Sequence, residues 1–322
     1  MASKLRIPAQ TIKTSNLTYD LQRTTTFSSS YSFTKQPCHK STLSPKCSLS
    51  SPKPPATKEE AILQAKTSLS STLEKPLNNP KLAGKMKKIK QPRFRVEIPV
   101  VDDSPASLSQ LALQVFGDMP LRRKGSQIKI VILWPSRGLM QTAIEAFDSL
   151  SSDIVVQSID MSSVLDEDVR TLSSADVAVF LAPEASQLPV MKTVSDRLYP
   201  RAVVIFNPKW SFEEEVDFGE MSGFLGSFEV VYSFMGLEVR GILSKRKGVI
   251  FRCVRDGVLS GERWNVLVEE GEVFRLVSTF KSRPSITEVE NVLYNLMAMN
   301  SPVTKSAKFL KNLVSNVTGK KK

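Results

Sequence analysis

The segment ILWPSRGLMQTAIEAF, Ile132–Phe147, changes its period halfway. Its apolar opening belongs to a strand-length run, Ile128 to Leu133, that stops at Pro135, Ser136, Arg137 and Gly138. Beyond the turn, Leu139, Ala143, Ala146, Phe147 and Leu150 recur at helical spacing, which lays them along one buried side. A strand that passes through a short turn into a helix is the building unit of an open α/β sheet, and that turn is where such sheets hold phosphates.

The same alternation continues downstream. Ile154–Ile159 reads as a strand, Leu165–Leu172 as a short acidic helix, Asp176–Ala182 as a strand, Glu184–Tyr199 as a helix and Ala202–Phe206 as a strand. These strands are apolar throughout rather than alternating, which implies a parallel sheet covered on both faces. Upstream, Thr57 and Glu60 form a capping box ahead of a helix over about 58–75. Arg95–Val100 alternates like a strand, and Ser104 opens a helix that carries Leu108, Leu111, Ala112 and Phe116. After Asn207-Pro208 the period changes. Glu213-Glu214-Glu215 with Gly219, Gly223 and Gly226 marks a loop. Phe228–Phe234, Leu237–Leu243, Lys247–Arg255, Arg263–Glu269 and Val273–Phe280 then read as successive short strands of an antiparallel meander. A helix from Arg283 to about Met299 and a last helix over about 303–317 close the chain. The expected fold is therefore α/β: a Rossmann-like, mainly parallel sheet with flanking helices, extended by a C-terminal antiparallel meander.

The net charge of +12 is unevenly placed. Residues 1–46 carry seven Lys/Arg against Asp20 alone, residues 81–95 carry seven against no acid, and residues 301–322 carry six lysines. The span 96–300 holds 20 Lys/Arg against 28 Asp/Glu, so an acidic body bears basic ends. A pI of about 9.6 is not by itself the mark of a nucleic-acid-binding fold. No run approaches the roughly 20 apolar residues that a membrane-spanning helix needs.

Residues 1–46 contain eight Ser and eight Thr and begin Met-Ala-Ser. Hydroxyl-rich, basic and almost free of acid, they match an organellar transit peptide, and the heavy Ser/Thr content favours the chloroplast. The expected division is a transit peptide over 1–46, a Ser/Pro linker over 47–57, one α/β domain over 58–300 and a basic C-terminal helix and tail over 301–322. The only histidine, His39, lies in the transit segment. Its removal excludes a Ser-His-Asp triad, a Cys-His pair and His-ligated zinc. Cys38, Cys47 and Cys253 form no metal-binding spacing.

Each candidate site has a plainer role beside it. Ser136, Arg137 and Gly138 form the anion-site candidate, with Arg137 able to pair a phosphate. No G-x-G-x-x-G or phosphate-loop motif accompanies them, and Ser136 as a helix cap with Gly138 as a close-packing residue is the plainer reading. Asp176, Glu184 and Asn207 lie near strand ends and read as turn residues. Glu213-Glu214-Glu215 with Asp217 reads as a solvated loop rather than a cation site, Asp166-Glu167-Asp168 as the first turn of a helix, and Cys253 as a buried thiol. Lys85, Lys87, Lys88 and Lys90 belong to a basic tract running to Arg95 that has no aromatic besides Phe94, so RNA stacking has little support. Lys305, Lys308 and Lys311 lie largely off the apolar stripe of the last helix, where they suit an anionic lipid or an acidic partner. No catalytic residue, metal or cofactor is indicated.

Taken in order, Phe94-Arg-Val-Glu-Ile-Pro, Leu133-Trp-Pro-Ser-Arg-Gly, Val179-Phe-Leu-Ala-Pro, Val204-Ile-Phe-Asn-Pro, Phe228-Glu-Val-Val-Tyr and Arg283-Pro-Ser are similar to a plant and cyanobacterial domain of unknown function. That domain occurs in the low photosystem II accumulation proteins of chloroplasts. The likeness runs over about residues 55–300. It implies a soluble stromal factor, peripheral to the thylakoid membrane, that assists photosystem II assembly or accumulation. The implied partners are thylakoid-associated photosystem II subunits, assembly factors and the thylakoid insertase. It supplies no catalytic residues. Two other functions stay open: a nucleotide- or anion-binding enzyme using the 135–138 loop, and an RNA-binding stromal protein using Lys81–Arg95.

Overall fold

The computed structural model describes residues 52–78, 90–99, 104–123, 127–148, 154–164, 169–240, 245–271 and 273–300. The transit-peptide expectation, Lys85, Lys87, Lys88, the acids 166–168 and the basic tail with Lys305, Lys308 and Lys311 lie outside the described residues.

In chain order the elements are α1 (Lys58–Asn78), β1 (Arg93–Glu97), α2 (Pro105–Phe116), β2 (Ile128–Trp134), α3 (Arg137–Asp148), β3 (Ile154–Asp160), α4 (Val169–Ser174) and β4 (Val177–Leu181). They continue with α5 (Leu188–Leu198), β5 (Ala202–Phe206), α6 (Glu220–Leu225), β6 (Glu229–Arg240), β7 (Lys245–Cys253), β8 (Trp264–Glu270), β9 (Val273–Phe280) and α7 (Ile286–Asn300). The nine strands form one sheet in the order β3-β2-β4-β5-β1-β6-β7-β8-β9. Pairing is parallel from β3 through to β6 and antiparallel from β6 to β9. The fold class read from the periodicity is the fold observed.

Helix ends follow their cap residues. At the start of α1 the backbone N–H of Glu60 donates to Thr57 Oγ1 at 3.1 Å, while the Glu60 carboxylate accepts from Ala56 N at 2.8 Å. The return bond of the capping box thus lands one residue earlier than the standard pattern. Ser104 caps α2, accepting from Ser107 N at 3.3 Å, with Pro105 in the first turn. Ser285 and Glu288 form a reciprocal box at α7, with bonds of 3.2 and 2.8 Å.

Two faces are covered. On the first, α1, α2 and α3 pack over Phe94, Val96, Ile130, Ile132, Trp134, Val179, Val204 and Phe206. Fully burying Leu69 and Leu73 of α1 contributes about 2 kcal/mol each. On the second face lie two separate apolar clusters. One joins α4, α5 and α6 to the parallel strands; the other joins α7 to β7 and β8 through Ile250, Trp264, Val266, Val289 and Leu293. Between those clusters run the side chains of the central strands β1 and β6. Arg95 pairs in register with Ile205 and Val230, and Glu97 with Ser233, so Arg95 and Glu97 lie in the seam of the second face. A bulge at Val231 shifts the β1–β6 register, and the bulged carbonyl accepts from Ser68 Oγ at 2.8 Å and Val254 N at 2.9 Å.

The structure corrects three element boundaries. The strand expected at 95–100 is β1, Arg93–Glu97. Its ladder ends because the Asn207 side chain takes both backbone groups of Ile98, accepting from Ile98 N at 2.7 Å and donating to Ile98 O at 3.0 Å. The two strands expected at 228–234 and 237–243 are one, β6; Gly236 pairs with Val249 inside the ladder instead of turning. Of the helix expected at 165–172, residues 165–168 lie outside the described residues and the rest belongs to α4, Val169–Ser174. The loop expected at 213–226 is a 3-10 turn, Glu213–Phe218, followed by α6. Gly219, at φ 55°, changes the chain direction between them.

Candidate functional site

In an open α/β sheet, ligands bind beyond the carboxyl ends of the strands where the winding direction switches. Here β2 is followed by β3 on one side and flanked by β4 on the other, with α3 on the first face and α5 on the second. The switch point lies between the β2–α3 and β4–α5 loops, where the Pro135–Gly138 turn sits. Ser136, Arg137 and Gly138 are all exposed there. Ser136 holds the N-cap position of α3 through its backbone alone, and Gly138 is not needed for packing. The first helical bond runs from Met140 N to the backbone oxygen of Ser136 at 3.1 Å, and no described N–H donates to the Ser136 hydroxyl. A Cβ added to Gly138 would meet nothing within 4 Å, so close packing does not require the glycine. Gln187 stitches the two loops together: its Nε2 donates to Pro135 O at 2.8 Å and its Oε1 accepts from Glu184 N at 3.0 Å. Ala182, the residue after β4, holds φ 42°, a left-handed conformation that costs a non-glycine residue about 1–2 kcal/mol.

The other strand-end candidates are structural. Asp176 stands at the amino edge of β4, away from the switch point, accepting from Arg123 Nη1 at 2.6 Å and Lys129 N at 3.0 Å. Glu184 pairs with Lys209 at 3.2 Å in solvent. Asn207, at φ 48°, is the clamp on Ile98. Lys90 is exposed, whereas Arg93 and Arg95, the last charges of the basic tract, are built into β1. Arg93 lies over Phe224 at 5.0 Å and donates to Gln91 and Ser227. Among the described residues no group of three His, Cys, Asp or Glu could hold a metal ion, and no helix is long and apolar enough to cross a membrane.

The densest polar constellation was not read from the sequence. In the seam of the second face, Glu97 and Glu215 meet Arg95 and Arg283. Arg95 Nη1 is ion-paired to Glu215, and Arg95 Nε lies 2.7 Å from Glu97 Oε1, although its N–H does not point at that oxygen well enough to count as a hydrogen bond. Arg283 Nη1 donates to Glu97 Oε1 at 2.9 Å, and Ser233 Oγ to Glu97 Oε2 at 2.6 Å. Trp210 Nε1 donates to Glu215 Oε1 at 3.0 Å. Arg283 is also held over Phe212 at 4.2 Å and over Trp264 at 5.2 Å. Glu215, expected in a solvated acidic loop, is buried; Glu214 and Asp217 are exposed. Burial pushes the Glu97 carboxyl up, but Arg283, Arg95 and the Ser233 hydroxyl overcome it and hold the group at about 2. Burial opposes the Arg95 charge as well, and Glu97 with Glu215 outweighs it, raising that guanidinium further. Desolvation pushes the Cys253 thiol up to about 12, in keeping with the buried thiol expected there.

The family described as Domain of unknown function (DUF1995) matches residues 55–291. No curated protein matches the chain. A solved structure similar to it is that of the flagellar accessory protein FlaH from Methanocaldococcus jannaschii, at 7% identity and a TM-score of 0.27, over 56% of this chain and 92% of that one. At that TM-score the likeness carries no argument about fold or function. The match over 55–291 spans most of the sequence, and the chain belongs to the DUF1995 family.

Proposed function

We propose that this DUF1995 protein is of the low photosystem II accumulation type: an auxiliary factor of the chloroplast stroma that acts by protein contact, peripheral to the thylakoid, in photosystem II assembly or accumulation. One observation carries the reading. Near the carboxyl end of the central strand, Arg95, Glu97, Glu215 and Arg283 are committed to one another in buried ion pairs. Groups locked in ion pairs hold the layers of a scaffold together and are not free to exchange protons with a substrate. The acidic body with basic ends suits charge-steered association with other proteins, and the hydroxyl-rich residues 1–46 supply the plastid address.

The test is fractionation of isolated chloroplasts during active synthesis of photosystem subunits. The expected result is a salt-removable thylakoid fraction of this chain that co-purifies with newly made photosystem II subunits or the insertase. Recovery in the stroma alone, with no photosystem II precursor captured, ends the proposal.

A second reading draws on the exposed Arg137 beside the N-terminus of α3 at the switch point: an anion or nucleotide site at 135–138. Nucleotide binding that is lost in Arg137→Ala supports it, and unchanged melting with every nucleotide removes it. RNA binding through Lys81–Arg95 is the weaker alternative, because Arg93 and Arg95 are taken up by the sheet.

A further inference from the structure

Arg252 lies on β7 opposite Ser233 of β6, on the second face of the sheet. Only 8% of the residue is exposed. Its two neighbours in the seam, Arg95 and Arg283, each have a carboxylate within ion-pair distance, and Arg255 has Glu262 at 3.3 Å. Arg252 has none. Its Nε is shut off from solvent without a hydrogen-bond partner. Its terminal nitrogens keep contact with solvent, and among the described residues no hydrogen bond or ion pair reaches them. The guanidinium carbon is held 5.4 Å from the centre of the Trp264 ring, whose other cationic neighbour is Arg283 at 5.2 Å. Contact with an aromatic ring leaves the N–H edge of a guanidinium as its remaining binding surface, and that edge matches an oxyanion in a bidentate fork.

We propose that Arg252 is the docking point for a single carboxylate group brought from outside the chain. A largely buried cation whose Nε has no acceptor is unfavourable, and two acids are close enough to be felt, Glu229 and Glu262. Desolvation nevertheless outweighs both and pushes the guanidinium below its ordinary value. Those two carboxylates also select the ligand: their field opposes a second negative charge, so a singly charged carboxylate fits better than a divalent phosphate or sulfate. The carboxylate is that of a small acid or of an acidic side chain on a docking protein.

The test uses the full chain, melted in rising sodium acetate and, in parallel, in sodium chloride and sodium sulfate at matched ionic strength. The expected result is a saturable rise in melting temperature with acetate beyond that with chloride or sulfate. Arg252→Gln should weaken acetate binding by roughly ten- to a hundredfold, as loss of hydrogen bonds to a charged group does, while the unliganded variant melts at or above the wild-type temperature because a desolvated charge has gone. A blocked peptide carrying one glutamate identifies the source. Binding as tight as acetate or tighter marks a partner chain, and binding of acetate alone marks a small acid. Superimposable acetate and chloride curves for the wild type overturn the proposal without reference to any variant, and so does an acetate response that survives in Arg252→Gln.

Discussion

Replacing Arg283 with methionine tests the seam most directly. Methionine keeps much of the stem that lies against Phe212 and Trp264 but removes the charge that bonds Glu97 at 2.9 Å. Arg95 would then face two buried carboxylates, Glu97 and Glu215, alone. Breaking a buried pair by removing one partner costs about 3–5 kcal/mol, a large part of a typical stability of about 5–15 kcal/mol. Urea unfolding at pH 7 should therefore show a midpoint lower by about 1–2 M, given slopes of about 2–3 kcal/mol/M for a domain of this size. The pH dependence supplies a second reading. In the wild type, the folded Glu97 carboxyl sits at about 2 against an ordinary 4.5. A depressed carboxyl stabilises fully above its unfolded value, and the contribution disappears as pH falls towards 2. The shift corresponds to roughly 3 kcal/mol. In Arg283→Met the largest opposing charge is gone and burial drives the Glu97 carboxyl upward, so the variant loses stability as pH rises through that raised value. The gap between the two proteins should widen from pH 4 to pH 7, and Glu97→Gln in the Arg283→Met background should recover part of the loss. A deficit below about 1 kcal/mol at pH 7, or one that does not change between pH 4 and pH 7, refutes the assignment of a tightly coupled buried pair.

Three further outcomes follow from the backbone and the core. Gly257 holds φ +62°, and a Cβ there would lie 2.3 Å from the backbone oxygen of Ser71 in α1; Gly257→Ala should cost more than about 2 kcal/mol in denaturant unfolding, since the left-handed penalty adds to the clash. Asn207→Ala removes both bonds to Ile98 at a left-handed residue, with an expected loss of about 2–4 kcal/mol, whereas Asn207→Gly should recover the backbone share of about 1 kcal/mol. Cys253, buried and pushed up to about 12, should resist iodoacetamide at pH 8 in the native chain and react after denaturation, as followed by peptide mass; rapid native labelling would contradict its burial.

Most of the sheet was legible because its apolar strands and amphipathic helices obey different periods. Ile128–Leu133 followed by Arg137–Leu150 needed no tertiary information. Element ends were harder to read, because long-range bonds set them. Nothing near Ile98 announces that Asn207 will close its backbone groups. Gly236 reads as a turn residue until the length of its partner strand is known. Ser136 and Gly138 look like a cap and a packing glycine from composition alone, yet Ser136 caps only through its backbone and Gly138 packs against nothing.

The seam escaped for a more general reason. Arg93-Phe94-Arg95-Val96-Glu97 alternates charged and apolar residues with period two, the pattern of a strand with one face in water. That inference assumes an edge or half-covered strand. Here β1 occupies the middle of a nine-stranded sheet covered on both faces, so its charged face must be satisfied by protein. The partners come from residues 120 and 186 positions away, Glu215 against Arg95 and Arg283 against Glu97. Each looks unremarkable locally, one in an acidic run and the other beside a proline. The usable signal is the conflict between levels: a half-polar strand in a chain whose strands β4 and β5 are wholly apolar. Such a strand either lies at an edge or is matched by distant opposite charges, and the buried Glu215 together with the buried Arg283 side chain decides for the second. On the first face one apolar core runs across both halves of the sheet, whereas on the second face a central strand of this kind ties the parallel half to the antiparallel half through ion pairs. That is why α6 and α7 sit over separate clusters, and why the cost of Arg283→Met should fall on the joint between them.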